Sequence, residues 1–446
     1  MKKFLVQCTA ISVFVFVMLW GVNEATDLKF FSAFDPISQA LTDFELTDIV
    51  FAQLRPDPTV DTSIVVVNLA PTRREIAQQV QIISQLNPKV IGIDSFFNCE
   101  GNLYDTINCP QLIDTLGNLM LGSAIEEAGN VVLVSKLLQK VKTANSKAID
   151  VYDSIEYSDQ IIRTGARMNA FANLVTKADY QEDVKLCRSF VPTRQVNGKT
   201  EYAFAVAMSM LYDSIKTKKF LTRQNEEELI NYRGNVEIQD VRLKTLHNKD
   251  LGTTNYSAMF YAVDWNELLA GEIAKDIFKN RIVIMGAMGD YFGDPAWTDK
   301  YFTPLNRKVA GRANPDMFGV VVHANIVAMI LNGDFINELT DWQKYLIAFL
   351  VCFSTVALFI FIDSKLPVWF DALSVLIQIS QILAFSFLMV KVFEIFSFKL
   401  DLSITLGVSA LVGPCYDIFK SVQNEIQNRL TKRRELVSKE QPAGLA

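Results

Sequence analysis

The apolar residues of this 446-residue chain are concentrated at residues 4–22 and 345–418, and that uneven distribution constrains the fold more than any motif. An unbroken apolar stretch from Phe4 to Val22 follows Met1-Lys2-Lys3. At about 1.5 Å per residue it roughly spans a hydrocarbon core of about 30 Å. It exits through Trp20-Gly21-Val22-Asn23-Glu24, a poor small-x-small pattern, so it reads as an anchor rather than a cleaved signal peptide. Three more candidate spans follow. Tyr345–Ile362 and Ala372–Val390 carry no charge, while Leu402–Tyr416 is shorter and contains Gly413-Pro414. Proline is tolerated in a membrane helix where neighbours satisfy the freed carbonyl.

Orientation follows from Lys and Arg near the span ends. Lys2 and Lys3 place the N-terminus inside. Lys420, Arg429, Lys432, Arg433, Arg434 and Lys439 place the tail inside as well. An even number of spans satisfies both ends, so four are expected. The expected organisation is an anchor at 1–22, an extracytoplasmic domain at 23–343, three membrane helices at 344–418 and a basic cytoplasmic tail at 419–446. This is the layout of a multi-pass protein of a bacterial inner membrane, with its large domain in the periplasm and both termini cytoplasmic. The net charge of −6 and the lack of a basic face argue against nucleic acid as a partner.

Residues 60–332 do not have the apolar pattern of a helical bundle. Ile64–Val67, Val90–Ile93, Val131–Val134 and Ile282–Met285 are short, β-branched and nearly continuously apolar, as strands covered on both faces are. Helix-like stretches lie between them at Arg73–Leu86, Cys109–Ala128, Ala203–Tyr212, Trp265–Phe278 and Val320–Leu331. Strands alternating with helices predict an α/β fold with a largely parallel sheet flanked by helices. The more polar segments 141–200 and 217–257 are expected to add antiparallel edge strands. Residues 28–56 are expected to form a helix leading out of the membrane.

Enzyme chemistry finds little purchase. His247 and His323 are far apart, and neither HExxH nor CxxC occurs. There is no GxSxG elbow. Gly198-Lys199-Thr200 lacks the first P-loop glycine and reads as a hairpin turn. Kinase and cyclase signatures are missing. The chain is therefore expected not to be an enzyme and to need no cofactor or metal. Of six cysteines, Cys8, Cys352 and Cys415 fall in candidate spans and Cys187 is expected to be buried. Cys99 and Cys109 bracket a polar loop: either a disulfide, favoured in an oxidising compartment, or two unpaired thiols.

One ordered string carries a resemblance. Arg281-Ile282-Val283-Ile284-Met285-Gly286 is followed by Asp294 and then by Asp299-Lys300-Tyr301-Phe302-Thr303-Pro304-Leu305-Asn306. Pro315-Asp316-Met317-Phe318-Gly319-Val320-Val321-Val322-His323-Ala324-Asn325 comes next. Earlier, in the same order, stand Arg55, Ile64–Val67, Arg73-Arg74, Pro88–Phe97, Asn130–Leu133, Arg188–Pro192 and Asn231–Gly234. Over roughly residues 28–340 this resembles a CHASE2 extracellular sensory domain: a glycine-terminated strand, an Asp-rich loop, a Thr-Pro step and a Gly-Val-x-x-His-Ala helix start. Three membrane spans after the domain are common in that family. There are departures. Asn68-Leu69-Ala70 stands where the family often has an acidic residue, Asn118 where an Asp is expected, and the Cys99–Cys109 loop looks like an insertion. Family members usually continue into a kinase or cyclase, whereas this chain stops about 30 residues after the last span.

Asp94 ends the second strand, and Asp290 and Asp294 follow the Ile282–Met285 strand. Ligands of open α/β sheets bind beyond the carboxyl ends of strands. Arg73 opens the first crossover helix and could face the same rim, and His323 opens a late one. Together they could hold a small polar or cationic ligand, with His323 as a pH switch or ligand contact. The alternative is structural: strand-end aspartates cap helices, an Arg–Asp pair locks loops, and the histidine fixes the preceding loop. In the tail, Ile418, Val422, Ile426 and Leu430 recur at helical spacing. That stripe suits either a partner or second copy, or anionic lipid beneath Lys432-Arg433-Arg434. Two functions stay open. One is a sensor relaying an envelope signal to a separate signalling protein. The other is a scaffolding subunit of an envelope-spanning complex. The expected partners are membrane lipids, envelope or signalling proteins and a second copy of the chain.

Overall fold

The structure, a computed structural model, describes residues 2–26, 48, 50–54, 61–98, 114–139, 152–176, 185–236, 259–290, 292, 294, 298–306 and 314–439. Cys99, Cys109 and most of the helix expected over 28–56 lie outside the described residues. Within that last range, Val50–Leu54 form one π-helical turn.

The chain divides into two units, residues 40–336 and residues 1–39 with 337–446. The first is built on a sheet. Its strands are β1 (Ile64–Asn68), β2 (Val90–Asp94), β3 (Val131–Gln139), β4 (Tyr152–Tyr157), β5 (Met168–Phe171), β6 (Asn235–Val236), β7 (Met259–Val263) and β8 (Ile282–Gly286). The order is β6-β7-β1-β8-β2-β3-β4, with β5 also paired to β3. Every pairing is parallel except β3–β4. All four β-branched runs become strands because helices cover both faces, so no alternation with polar residues is needed.

The N-terminal helix is α1 (Lys2–Thr26), and one face of the sheet carries α2 (Arg73–Gln85) together with α3 (Thr115–Ala128). Ile76, Val80, Ile83, Leu121 and Ile125 pack there on Val65, Val67, Ile91, Ile93, Val283 and Met285. A capping box between Thr72 and Glu75 starts α2, which satisfies two of its orphan N–H groups. The opposite face carries α4 (Phe204–Tyr212), followed in the chain by α5 (Ser214–Leu221). A Cβ on Gly92 would overlap Met208 and Phe204, so α4 lies hard against β2.

The helix expected over Trp265–Phe278 is shorter. Only α6 (Trp265–Ala270) is α-helical. Gly271 takes a left-handed φ of 74° and ends it, and Lys275–Ile277 form a 3-10 turn. Residues 193–202 form the expected hairpin. Asn197 and Gly198, both at positive φ, make the type I′ turn that matches strand twist. After β8 come two short antiparallel strands, β9 (Lys300–Tyr301) and β10 (Met317–Phe318), and then α7 (Gly319–Asn332). Thirteen consecutive residues of α7, Gly319 to Leu331, are buried.

The second unit contains α1, α8 (Asp341–Lys365), α9 (Phe370–Phe396) and α10 (Ser403–Lys439). Cys8, Ile11 and Val15 pack with Cys352, Val356, Phe359, Val408 and Val412. Lys2–Val22, Asp341–Lys365 and Pro367–Phe396 are long and apolar enough to cross a membrane. The stretch Leu402–Tyr416 falls at the start of α10, which continues unbroken past it through the tail.

Candidate functional site

Parallel register puts three strand ends side by side: Asn68 pairs with Gly286, and Gly286 with Asp94. This row is the carboxyl rim of the sheet, and the expected site residues divide around it.

Arg73 lies on the α2–α3 side. It is 6% exposed, donates from Nη1 to Asn118 Oδ1, and meets Asp159 Oδ2 at 3.1 Å. Its guanidinium stands 5.8 Å from the Phe97 ring centroid. It pairs with neither Asp94 nor Asp294. It joins the starts of α2 and α3 to the turn after β4.

Asp290 and Asp294 belong to the loop after β8. The Asp290 N–H donates to Asp294 Oδ2 at 3.0 Å, and the Asp290 carbonyl accepts from Trp265 Nε1 at 3.2 Å. Lys300 Nζ donates to the Asp294 carbonyl at 2.5 Å. Asn68 anchors this loop. Its Nδ2 donates to Asp264 Oδ1 (2.8 Å) and to the Gly289 carbonyl (3.0 Å), and its Oδ1 accepts from Met288 N–H (2.8 Å). A carboxylate there could accept but not donate, so this network uses the asparagine as an asparagine.

Asp94 and His323 do come together, on the α4–α7 side. His323 Nε2 is 3.9 Å from Asp94 Oδ2, too long for a hydrogen bond. The imidazole is 3% exposed and stands edge-on to Phe204, with centroids 5.2 Å apart. Burial lowers its pKa to about 4, although the nearby Ala172 backbone acts in the opposite sense. No hydrogen bond of good geometry reaches Nδ1. The ring is therefore neutral at pH 7, and the expectation that His323 itself switches near neutrality is not supported by its surroundings.

A residue not singled out from sequence stands at the start of α7. Asp299, at φ 55°, accepts the Gly319 N–H at 2.9 Å through its backbone carbonyl. A Cβ on Gly319 would stand 3.1 Å from Tyr301 Cε2 and 3.2 Å from both Asp299 carboxylate oxygens. A Cβ on Gly286 would overlap Val320. The glycine-terminated strand and the Gly-Val-x-x-His-Ala helix start are thus two halves of one contact, which lets α7 close on β8. Burial raises both Asp94 and Asp299 to about 7; for Asp299 the Asp94 charge adds to the effect and Lys185 offsets it. Asp316 is likewise raised to about 7 by burial, but it accepts from Thr303 N–H (2.9 Å) and Oγ1 (2.6 Å) and from Asn306 Nδ2 (3.2 Å). The Thr-Pro step is thereby fixed to the strand before α7. Among the described residues no group of three His, Cys, Asp or Glu side chains is arranged to hold a metal ion.

The profile of the CHASE2 domain family matches residues 12–359. No curated protein and no solved structure matches the chain. With most of its length matched, and with the matched segment carrying the parallel sheet and the Gly286–Val320 closure, this chain belongs to the CHASE2 family of sensory domains.

Proposed function

We propose that this protein is an inner-membrane sensor whose CHASE2 domain lies in the periplasm and which relays an envelope signal to a separate protein, without catalysis of its own. The observation that carries the relay is on α10. Ile418, Val422, Ile426 and Leu430 are each about half exposed along one helix. Successive residues four apart form a continuous apolar stripe on an α-helix, the surface another helix covers. Lys2 and Lys3 and the basic tail support a cytoplasmic location for that stripe. The same stripe also suits the scaffolding reading, in which the docked proteins form a stoichiometric envelope complex.

Photo-crosslinking from Val422 and Ile426 in intact cells separates the two. Capture of a kinase, cyclase or other signalling protein supports relay. A constant set of envelope proteins supports scaffolding. Crosslinks to lipid alone would remove both and leave the stripe as a membrane-surface segment.

A further inference from the structure

The short helix α5 is two-sided. Thr217 and Phe220 are buried, whereas Ile215, Lys216, Lys218 and Lys219 are exposed. At about 100° per residue, Lys218 and Lys219 flank Ile215 on either side, and Lys216 lies on the same half of the helix. Ile215 is 81% exposed, more than any other large apolar side chain described in residues 40–336. None of the three ammonium groups forms an ion pair among the described residues. The flanking acids are mostly turned elsewhere. Asp213 caps α5 by accepting the Lys216 N–H at 3.0 Å, Glu227 accepts from Ser189 Oγ, and Glu228 is held by Arg223 Nε at 2.7 Å. Glu226 stays exposed. An apolar knob among lysines suits an anionic lipid surface. The isoleucine and the alkyl stems enter the headgroup layer, and the ammonium groups meet the phosphates.

The other side of α5 is tied to the end of the domain. The Phe220 and Phe335 rings stand 5.3 Å apart. Arg223, just past the helix, lies 4.9 Å from the Phe335 ring and donates from Nη2 to the Ile336 carbonyl at 3.4 Å. Ile336 is the last residue of the domain unit. The next two residues in the chain, Asn337 and Glu338, pair with Phe398 and Lys399 between α9 and α10, and Asp341 then opens the apolar α8. At about 3.4 Å per extended residue, the chain from Ile336 to Asp341 reaches no more than roughly 17 Å. We propose that α5 is a membrane-surface contact, with Ile215, Lys216, Lys218 and Lys219 resting on the headgroups of anionic phospholipid in the bilayer that α8 crosses. Because Phe220 packs on Phe335, lipid charge then bears on the segment that leads into α8. The contact goes beyond the relay reading. It rests only on α8 crossing a bilayer, as proposed above, and the two can fail separately.

The test uses the full chain with a photo-crosslinking residue in place of Ile215. It is reconstituted into vesicles of phosphatidylcholine alone, or of phosphatidylcholine and phosphatidylglycerol in equal parts. Illumination should give lipid adducts in the anionic vesicles, and roughly tenfold fewer in the neutral ones or at high salt, which screens the headgroup charge. Lys216→Gln, Lys218→Gln and Lys219→Gln together should cause the same loss, with the thermal midpoint in detergent unchanged. The same probe at Leu116, an exposed apolar position on α3 across the sheet, should give no charge-dependent adducts. Equal yields in the two kinds of vesicle, wild-type yields in the triple variant, or matching yields at Leu116 would overturn the proposal. So would adducts to protein alone. Carbonate extraction separates the two readings. A chain that washes off the vesicles removes the membrane placement and the α5 contact together. A chain that resists extraction, yet gives no charge-dependent adduct from Ile215, removes the contact alone.

Discussion

The partner of a single charge depends on how the element that carries it is turned, which its place in the sequence does not give. Arg73 opens a crossover helix at the carboxyl rim, but the helix start turns it toward Asn118 and Asp159. Asp94 projects from the same sheet face as Gly92, toward Phe204 and Met208 and away from the Ile91–Ile93 core. Arg73→Met should therefore destabilise the domain without altering any ligand response. Removing one partner of a buried pair typically costs about 3–5 kcal/mol, and with Asp159 still 29% exposed about 2 kcal/mol is expected here. Thermal unfolding of the full chain should register that loss, and Asp159→Asn should show a smaller one because Asn can still accept from the guanidinium. Unchanged stability in Arg73→Met would reject the structural role. Asp94 and His323 could be singled out from sequence because strand-end position and helix-start position are both local properties. Asp299 was not singled out, because its place against α7 depends on a left-handed turn and on Gly319 clearing space, neither of which has a local periodic signal.

At the scale of elements, the four β-branched strands were legible because burial on both faces leaves a continuous apolar run. The broken helix over Trp265–Phe278 was not, because its apolar spacing continues through Gly271, where only backbone conformation ends the helix. The Gly413-Pro414 pair, which made Leu402–Tyr416 a weak candidate span, has a specific explanation. Pro414 removes the N–H that would bond the Ala410 carbonyl. Gln378 on α9 supplies a replacement, donating from Nε2 to the Ala410 and Ser409 carbonyls at 2.9 Å each. A Cβ on Gly413 would overlap that Gln378 amide, so glycine admits it. Gln378→Leu should cost about 1–2 kcal/mol by leaving a buried carbonyl unpaired. Pro414→Ala restores the helix donor, so it should largely rescue Gln378→Leu, and the double-mutant cycle should show coupling. Strictly additive losses would mean that the amide does not replace the missing helix bond.

At the scale of the whole molecule, the expected topology follows from where the charges fall along the apolar helices. On α8, Lys344 pairs with Asp401 at 3.0 Å and with Asp341 at 3.4 Å. Near the other end, Asp363 accepts from Lys420 Nζ at 2.7 Å and from the Tyr416 hydroxyl at 3.1 Å. From Lys344 to Asp363 the helix rises about 29 Å, close to the roughly 30 Å of a hydrocarbon core. Both ionic clusters then sit at the edges of the apolar layer, where charge is tolerated, and none remains at its centre. Lys420 lies on the same continuous helix as the basic tail, so the positive-inside rule makes the Asp363 end the expected cytoplasmic one. The Lys344–Asp401 end is accordingly expected outside, together with the CHASE2 domain that precedes it in the chain. Reporter fusions after Asn306 should read as exported, and fusions at Asp363 and after Lys439 as cytoplasmic. Reversing the charges at Lys2 and Lys3 should weaken the first assignment before the others, because the tail supplies an independent inward signal. An exported reading after Lys439 would remove the fourth span and with it the cytoplasmic location of the α10 stripe. A cytoplasmic reading after Asn306 would instead place the CHASE2 domain on the side of the basic tail, and the envelope would no longer be the source of its signal.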